Sequence, residues 1–201
     1  RYNIHIRGSY ATEASSIIEL FAKKKGHKKI AIFYQNDAFG EAVKSVTETA
    51  MNDHGLKPVA LGSFERNTLE IETGLKNIVD AKPESIVMVG TYAPLAKFVK
   101  SAKAAGLKDS LFYTVSFVGP EVLSKELGDQ GSNVFITQVI PPYQESSLPL
   151  VTKYKEDLAK YFTGEAPSFP GLEAYANACV LVEGLQNAGK DLTRENLIDS
   201  I

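Results

Sequence analysis

The chain has 201 residues, 44% of them hydrophobic, and a net charge of -2 from 22 basic and 24 acidic side chains. That is enough apolar material for one good core, or a core with an appendage, and it excludes a disordered chain. The near balance of charge supplies no field for gathering nucleic acid or an anionic membrane, so neither partner is expected.

No window approaches the roughly 18 consecutive apolar residues of a spanning helix, so no direct membrane insertion is expected. The single cysteine, Cys179, has no disulfide partner and lies on an apolar helical pattern, where a small buried hydrophobe is expected. His5, His27 and His54 share no metal-ligand spacing. Neither a metal nor a cofactor is expected.

In chain order, Arg1 leads directly into a strand-like run, Tyr2-Asn3-Ile4-His5-Ile6, as expected of a piece of a longer protein. Ala14, Ile17, Ile18 and Phe21 then recur at helical spacing, and Gly26 ends that helix. The basic run Lys23-Lys24-Lys25-Gly26-His27-Lys28-Lys29 falls at the negative end of its dipole, where cations cap carbonyls. A strand, Lys29–Tyr34, empties into the polar turn Gln35-Asn36-Asp37 and a helix bearing Phe39, Val43, Val46 and Ala50. Further strands are predicted at Pro58–Phe64, Ser85–Gly90, Ser110–Val115 and Asn133–Ile140.

Helical stripes fill the gaps: Ile71, Leu75, Ile78 and Val79, then Leu95, Phe98, Val99 and Ala102, stopped by Gly106. Glu121, after Gly119-Pro120, is expected to open another helix, where the dipole favours a carboxylate. Short, almost continuously apolar strands alternating with helices indicate an α/β fold, doubly wound, with a mainly parallel five-stranded sheet covered on both faces. Beyond Pro141-Pro142 the pattern is helical only, with long helices at Leu148–Phe162 and Gly171–Ala188 and a helical pattern at Thr193–Ile201 that looks stopped in mid-course. Two units are expected, residues 1–141 and 142–201. The stripe Leu172, Tyr175, Cys179 and Val182, widened by Leu181 and Leu185, is broad enough to need a further partner surface.

Open α/β sheets bind ligands at the carboxyl ends of their strands. No Gly-x-Gly-x-x-Gly or Walker loop stands there to cradle a phosphate, no Gly-x-Ser-x-Gly offers a nucleophile, and Asp37 lacks the acidic pair of a phosphoacceptor. What stands there is Phe39 after the first strand, Thr91 and Tyr92 after the third, and Ser116 and Phe117 after the fourth. Apolar walls with a few hydroxyls suit the binding of a small molecule and supply no acid, base or nucleophile, so catalysis is not expected.

Tyr10-Ala11-Thr12-Glu13-Ala14 and Ile30–Gly40, followed in order by Gly90-Thr91-Tyr92, Ala104-Ala105-Gly106-Leu107, Thr137–Pro142 and Gly171-Leu172-Glu173-Ala174-Tyr175, resemble the type I periplasmic binding proteins of the leucine/isoleucine/valine-binding class. The resemblance implies a clamshell of two flavodoxin-like lobes that closes on an amino acid or similar solute and delivers it to the membrane subunits of an ABC transporter. It makes residues to about 141 the second lobe and the later helices part of the first, with Ser9 and Pro142 at the hinge. It assigns Phe39 and Tyr92 to aromatic ligand contacts and puts Ser116 where amino-acid binders carry an acid. It further implies a secretion signal in the precursor and a periplasmic or extracellular site, lipid-anchored in a single-membrane cell. A sensory ligand-binding domain with the same clamshell is the alternative.

Overall fold

The computed structural model describes residues 2–144, 147–190 and 192–201. They divide into two compact units, Ser9–Thr137 and the discontinuous pair Arg1–Gly8 with Gln138–Ile201.

In the first unit, five strands form one parallel sheet: β1 (Ile30–Gln35), β2 (Leu61–Phe64), β3 (Ser85–Val89), β4 (Leu111–Thr114) and β5 (Val134–Ile136). Their order is β2-β1-β3-β4-β5, and every neighbouring pair runs parallel. The order reverses between β1 and β3, and such a switch point opens a crevice beyond the strand ends.

Successive side chains of a strand point to opposite faces, and both faces here are covered. Ile30, Ile32, Val87, Val89, Tyr113 and Val115 pack under α1 (Tyr10–Ile18) and α2 (Ala38–Asp53). Ala31, Phe33, Ile86, Met88 and Phe112 pack under α3 (Glu72–Ala81), α4 (Tyr92–Ala104) and α5 (Pro120–Leu127). Phe33 anchors the second layer, stacked on Phe98 with ring centroids 3.8 Å apart and on Phe64 at 5.2 Å. Helix α3 approaches β2 so closely that a Cβ on Gly62 would lie 2.4 Å from the Gly74 carbonyl oxygen, which leaves room only for glycine.

Helix α1 starts at Ser9, whose Oγ accepts the Thr12 amide at 3.2 Å, and passes into a π-type turn over Glu19–Lys24. Lys23 and Lys24 stand in its last turn, and Gly26, at φ +71°, ends it. Gly106, at φ +107°, follows α4 in the same way. Glu121 lies in the first turn of α5, as expected.

In the second unit, α6 (Pro149–Tyr161) and α7 (Phe169–Ala188) share a small core of Val151, Tyr154 and Leu172, and α8 (Arg194–Asp199) follows. Tyr2 donates a hydrogen bond to Glu195, and Arg7 pairs with Glu173 at 3.4 Å. Leu181 and Val182 of α7 are about half exposed, at 47% and 51%, so its broad apolar stripe is only partly covered.

Several sequence expectations change. Tyr2–Ile6 is not a strand, because a strand needs a ladder neighbour and no described strand lies in its unit. The regular register of β2 begins at Leu61, and β5 ends at Ile136, since the chain leaves the sheet edge at Gln138. Residues 1–8 group with the C-terminal helices, and the second division falls at Thr137 and Gln138, four residues before Pro141. Cys179 is half-buried rather than buried, on the partly covered helix α7.

Candidate functional site

At the end of β1 the backbone turns under tight constraint. Asp37 opens α2, its Oδ1 accepting the Gly40 amide at 3.0 Å while its Oδ2 accepts from the Gln35 side-chain amide at 2.6 Å. Arg66 stands 3.6 Å from the same carboxylate. The Gly40 amide first, then Gln35 and Arg66, hold Asp37 below the usual carboxylate range against the opposing effect of burial. A Cβ on Gly40 would lie 1.8 Å from the Gln35 carbonyl oxygen, so the turn closes only on glycine. This turn sets Phe39 at the start of α2, over the strand end.

Phe39 does not stand alone. Its ring lies 5.6 Å from Tyr10 of α1 and 5.5 Å from Phe117 after β4, in tilted and edge-on geometries that favour aromatic pairs. Phe39 and Tyr10 are half-buried, whereas Phe117 is 58% exposed. Thr91 precedes α4, its side chain making no capping bond, and Tyr92 is the first residue of that helix, 40% exposed. The Tyr92 ring is 3.9 Å from where a Cβ on Gly119 would stand, in the turn that follows Phe117. The ends of β1 and β4 thus share the Tyr10, Phe39 and Phe117 ring cluster, and Tyr92, after β3, stands beside the turn that follows Phe117.

Ser116 is different. It is buried, its amide donates to Glu13 Oε2 at 2.8 Å, and its hydroxyl donates to Glu13 Oε1 at 3.1 Å. The Thr137 hydroxyl also donates to Glu13 Oε2. Because that proton is committed to the carboxylate, the Tyr113 hydroxyl, 3.1 Å from Thr137 Oγ1, is the donor in its own bond. Burial, with the neighbouring Glu13 charge adding to it, pushes the Tyr113 phenol well above its ordinary value. Glu13, only 4% exposed, is the residue that sequence reasoning misses. It is a single acid in an amphipathic helix, and its partners lie 103 and 124 residues away.

The second unit carries its own groove of about 460 Å³, walled by Tyr154, Tyr161, Phe162 and Tyr175. The Tyr175 hydroxyl donates to Asp157 Oδ2 at 2.5 Å, which raises the phenol and lowers the acid. Of the hinge candidates, Ser9 is the first residue of the sheet unit, and Pro142 is an exposed coil residue of the other. Within the second unit Gly8 and Val139 run side by side, a Cβ on Gly8 falling 3.6 Å from Val139 Cγ1. Among the described residues no group of three or more His, Cys, Asp or Glu is placed to hold a metal, and no helix is long and apolar enough to cross a membrane.

Comparison with known proteins gives a consistent match. The family model described as periplasmic binding protein matches residues 1–201. A curated relative, Leu/Ile/Val-binding protein homolog 7 of Brucella suis, is 25% identical over 203 residues, covering 91% of this chain and 49% of its own length. The crystal structure of a possible leucine/isoleucine/valine-binding protein from Rhodopirellula baltica superposes with a TM-score of 0.89 at 31% identity, over 96% of this chain and 54% of that one. A substrate-binding periplasmic protein from Ralstonia solanacearum gives 0.87 at 26% identity, over 97% and 55%. The chain thus spans about half the length of the relatives it matches.

Proposed function

Because the chain belongs to the periplasmic binding protein family, we propose that it supplies one lobe of a two-lobed, extracytoplasmic solute receptor that serves an ABC uptake transporter. The observation that carries this reading is the shared aromatic face of Phe39, Phe117 and Tyr92 beside the switch point of the sheet. In this reading the unit Ser9–Thr137 corresponds to the second lobe, and helices α6 to α8 of the other unit pack on a first lobe outside this chain. The partly covered stripe of Leu181 and Val182 supports that assignment, because exposed apolar helix faces mark interaction surfaces.

The solute is an amino acid or a related small molecule held by its apolar part against Phe39, Tyr92 and Phe117, with Thr91 offering a hydroxyl. Ser116 serves this surface indirectly, since its amide and hydroxyl are turned to Glu13. The Ser116 hydroxyl that bonds the Glu13 carboxylate is buried and holds the turn, which supports binding without turnover. A solute touching both lobes favours the closed clamshell by its differential affinity for that form, and closure turns about the crossings near Ser9 and Pro142.

The test is small-angle scattering of a protein that carries this segment together with its first lobe, with and without each of a panel of amino acids, amides and aromatic acids. Compaction with one chemical class is expected. Thermal stabilisation by a solute without any compaction would remove the closure mechanism, and no response to any class would remove the solute-receptor reading.

A further inference from the structure

A carboxylate that is almost fully buried normally needs partners that satisfy its charge, because transfer out of water is costly. Glu13 accepts from the Ser116 amide, the Ser116 hydroxyl and the Thr137 hydroxyl. Their positions in the chain are informative. Glu13 lies four residues after Ser9, where the sheet unit begins, and Thr137 is the last residue of that unit. Ser116 immediately precedes Phe117, the most exposed ring of the aromatic face. One side chain therefore ties together the root of the first crossing, the root of the second crossing and the loop that presents Phe117.

We propose that Glu13 is a positioning residue that fixes the Ser116–Phe117 turn relative to both chain crossings, so that the aromatic face is preformed and moves with the crossings as one body. The proposal rests on the reading of that face as a solute site, but the geometry it describes exists without a solute. The Ser116 amide sits at the first position of a short helical turn, Ser116–Val118, where an amide has no partner within the turn. Its acceptor is Glu13. Hydrogen bonds to a charged group are stronger than neutral ones, and three donors on one carboxylate order the loop through a network rather than through one contact.

The experiment is amide hydrogen exchange and ring-to-ring NOE measurement by NMR on this 201-residue chain, wild type and Glu13→Gln. In the wild type the Ser116 amide is expected to be protected and the Phe39–Phe117 NOE to be present. In E13Q, the Ser116 amide is expected to exchange at least about tenfold faster and that NOE to weaken, while the core amides of Ile32 and Val87 keep their rates. A uniform rise in all rates, or no change at Ser116, overturns the positioning role.

If E13Q does not fold, the wild type alone decides: a Ser116 amide exchanging as freely as that of a disordered peptide overturns the proposal. If it is protected, Thr137→Val repeats the comparison with the carboxylate intact, and the same local loosening is expected. Unchanged Ser116 exchange in that variant would overturn the tie to the second crossing. None of these readouts needs a solute, so they stand apart from failure of the receptor reading, which the scattering experiment detects separately.

Discussion

Replacing Asp37 probes the turn on which the first strand end depends. Its Oδ1 caps α2 through the Gly40 amide at 3.0 Å, and its charge lies at the positive end of the helix dipole with Gln35 and Arg66 beside it. A cap of this kind contributes about 1 kcal/mol, and a carboxylate at a helix start about 0.3–1 kcal/mol more. Asp37→Ala is therefore expected to cost about 1–2 kcal/mol. At a urea m-value of roughly 2 kcal/mol per molar, the unfolding midpoint should fall by about 0.5–1 M with m unchanged.

Asp37→Asn keeps an oxygen for the Gly40 amide and loses only the charge, so it should retain more than half of the wild-type advantage over D37A. The folded-state pKa of Asp37 lies below its ordinary value near 3.8, so the charge contribution is fully present above that pH and is lost as pH falls through the lower, folded value. The gap between wild type and D37N should hold steady from neutral pH to about pH 5 and close below 3.8. A D37A midpoint equal to that of wild type, or a D37N gap that widens on acidification, would refute this account of the turn.

Gly40→Ala should be far more damaging than an ordinary glycine substitution, because its Cβ would meet the Gln35 carbonyl at 1.8 Å; a urea midpoint near that of wild type would contradict the tight turn. Phe33→Ala removes a ring stacked between Phe98 and Phe64 and should cost about 3–5 kcal/mol, measured by the same urea titration. Phe117→Ala, at a ring more than half exposed, should leave stability within about 0.5 kcal/mol and yet abolish solute-induced thermal stabilisation of a two-lobed protein carrying this segment. Loss of stability with solute response intact would make Phe117 a packing residue.

The sheet was legible because parallel strands buried on both faces carry continuous apolar runs, and Ile86-Val87-Met88-Val89 needs no tertiary knowledge to be seen. Strand ends were less so. Asn133–Ile140 reads as one strand-like run, but pairing stops where β4 offers no further partner, with the Thr137 amide bonded to the Thr114 carbonyl at 3.2 Å. The aromatic positions were legible one at a time, as rings after strand ends. Their convergence was not, since Tyr10, Phe39 and Phe117 come from three separate stretches. Glu13 was hidden for a stronger reason: an acid in a helical pattern normally faces water, and only the fold brings Ser116 and Thr137 to it.

The proposed function requires that the surface of Phe39, Tyr92 and Phe117 take a small solute between two lobes. Its most direct measurement is a thermal-shift screen of a two-lobed protein carrying this segment, against amino acids, small amides and aromatic acids. A solute present at 100 times its dissociation constant should stabilise by about 2.7 kcal/mol, with one chemical class responding and Phe39→Ala removing the response. A screen in which no class shifts the transition, or in which F39A responds as wild type does, would contradict the claim.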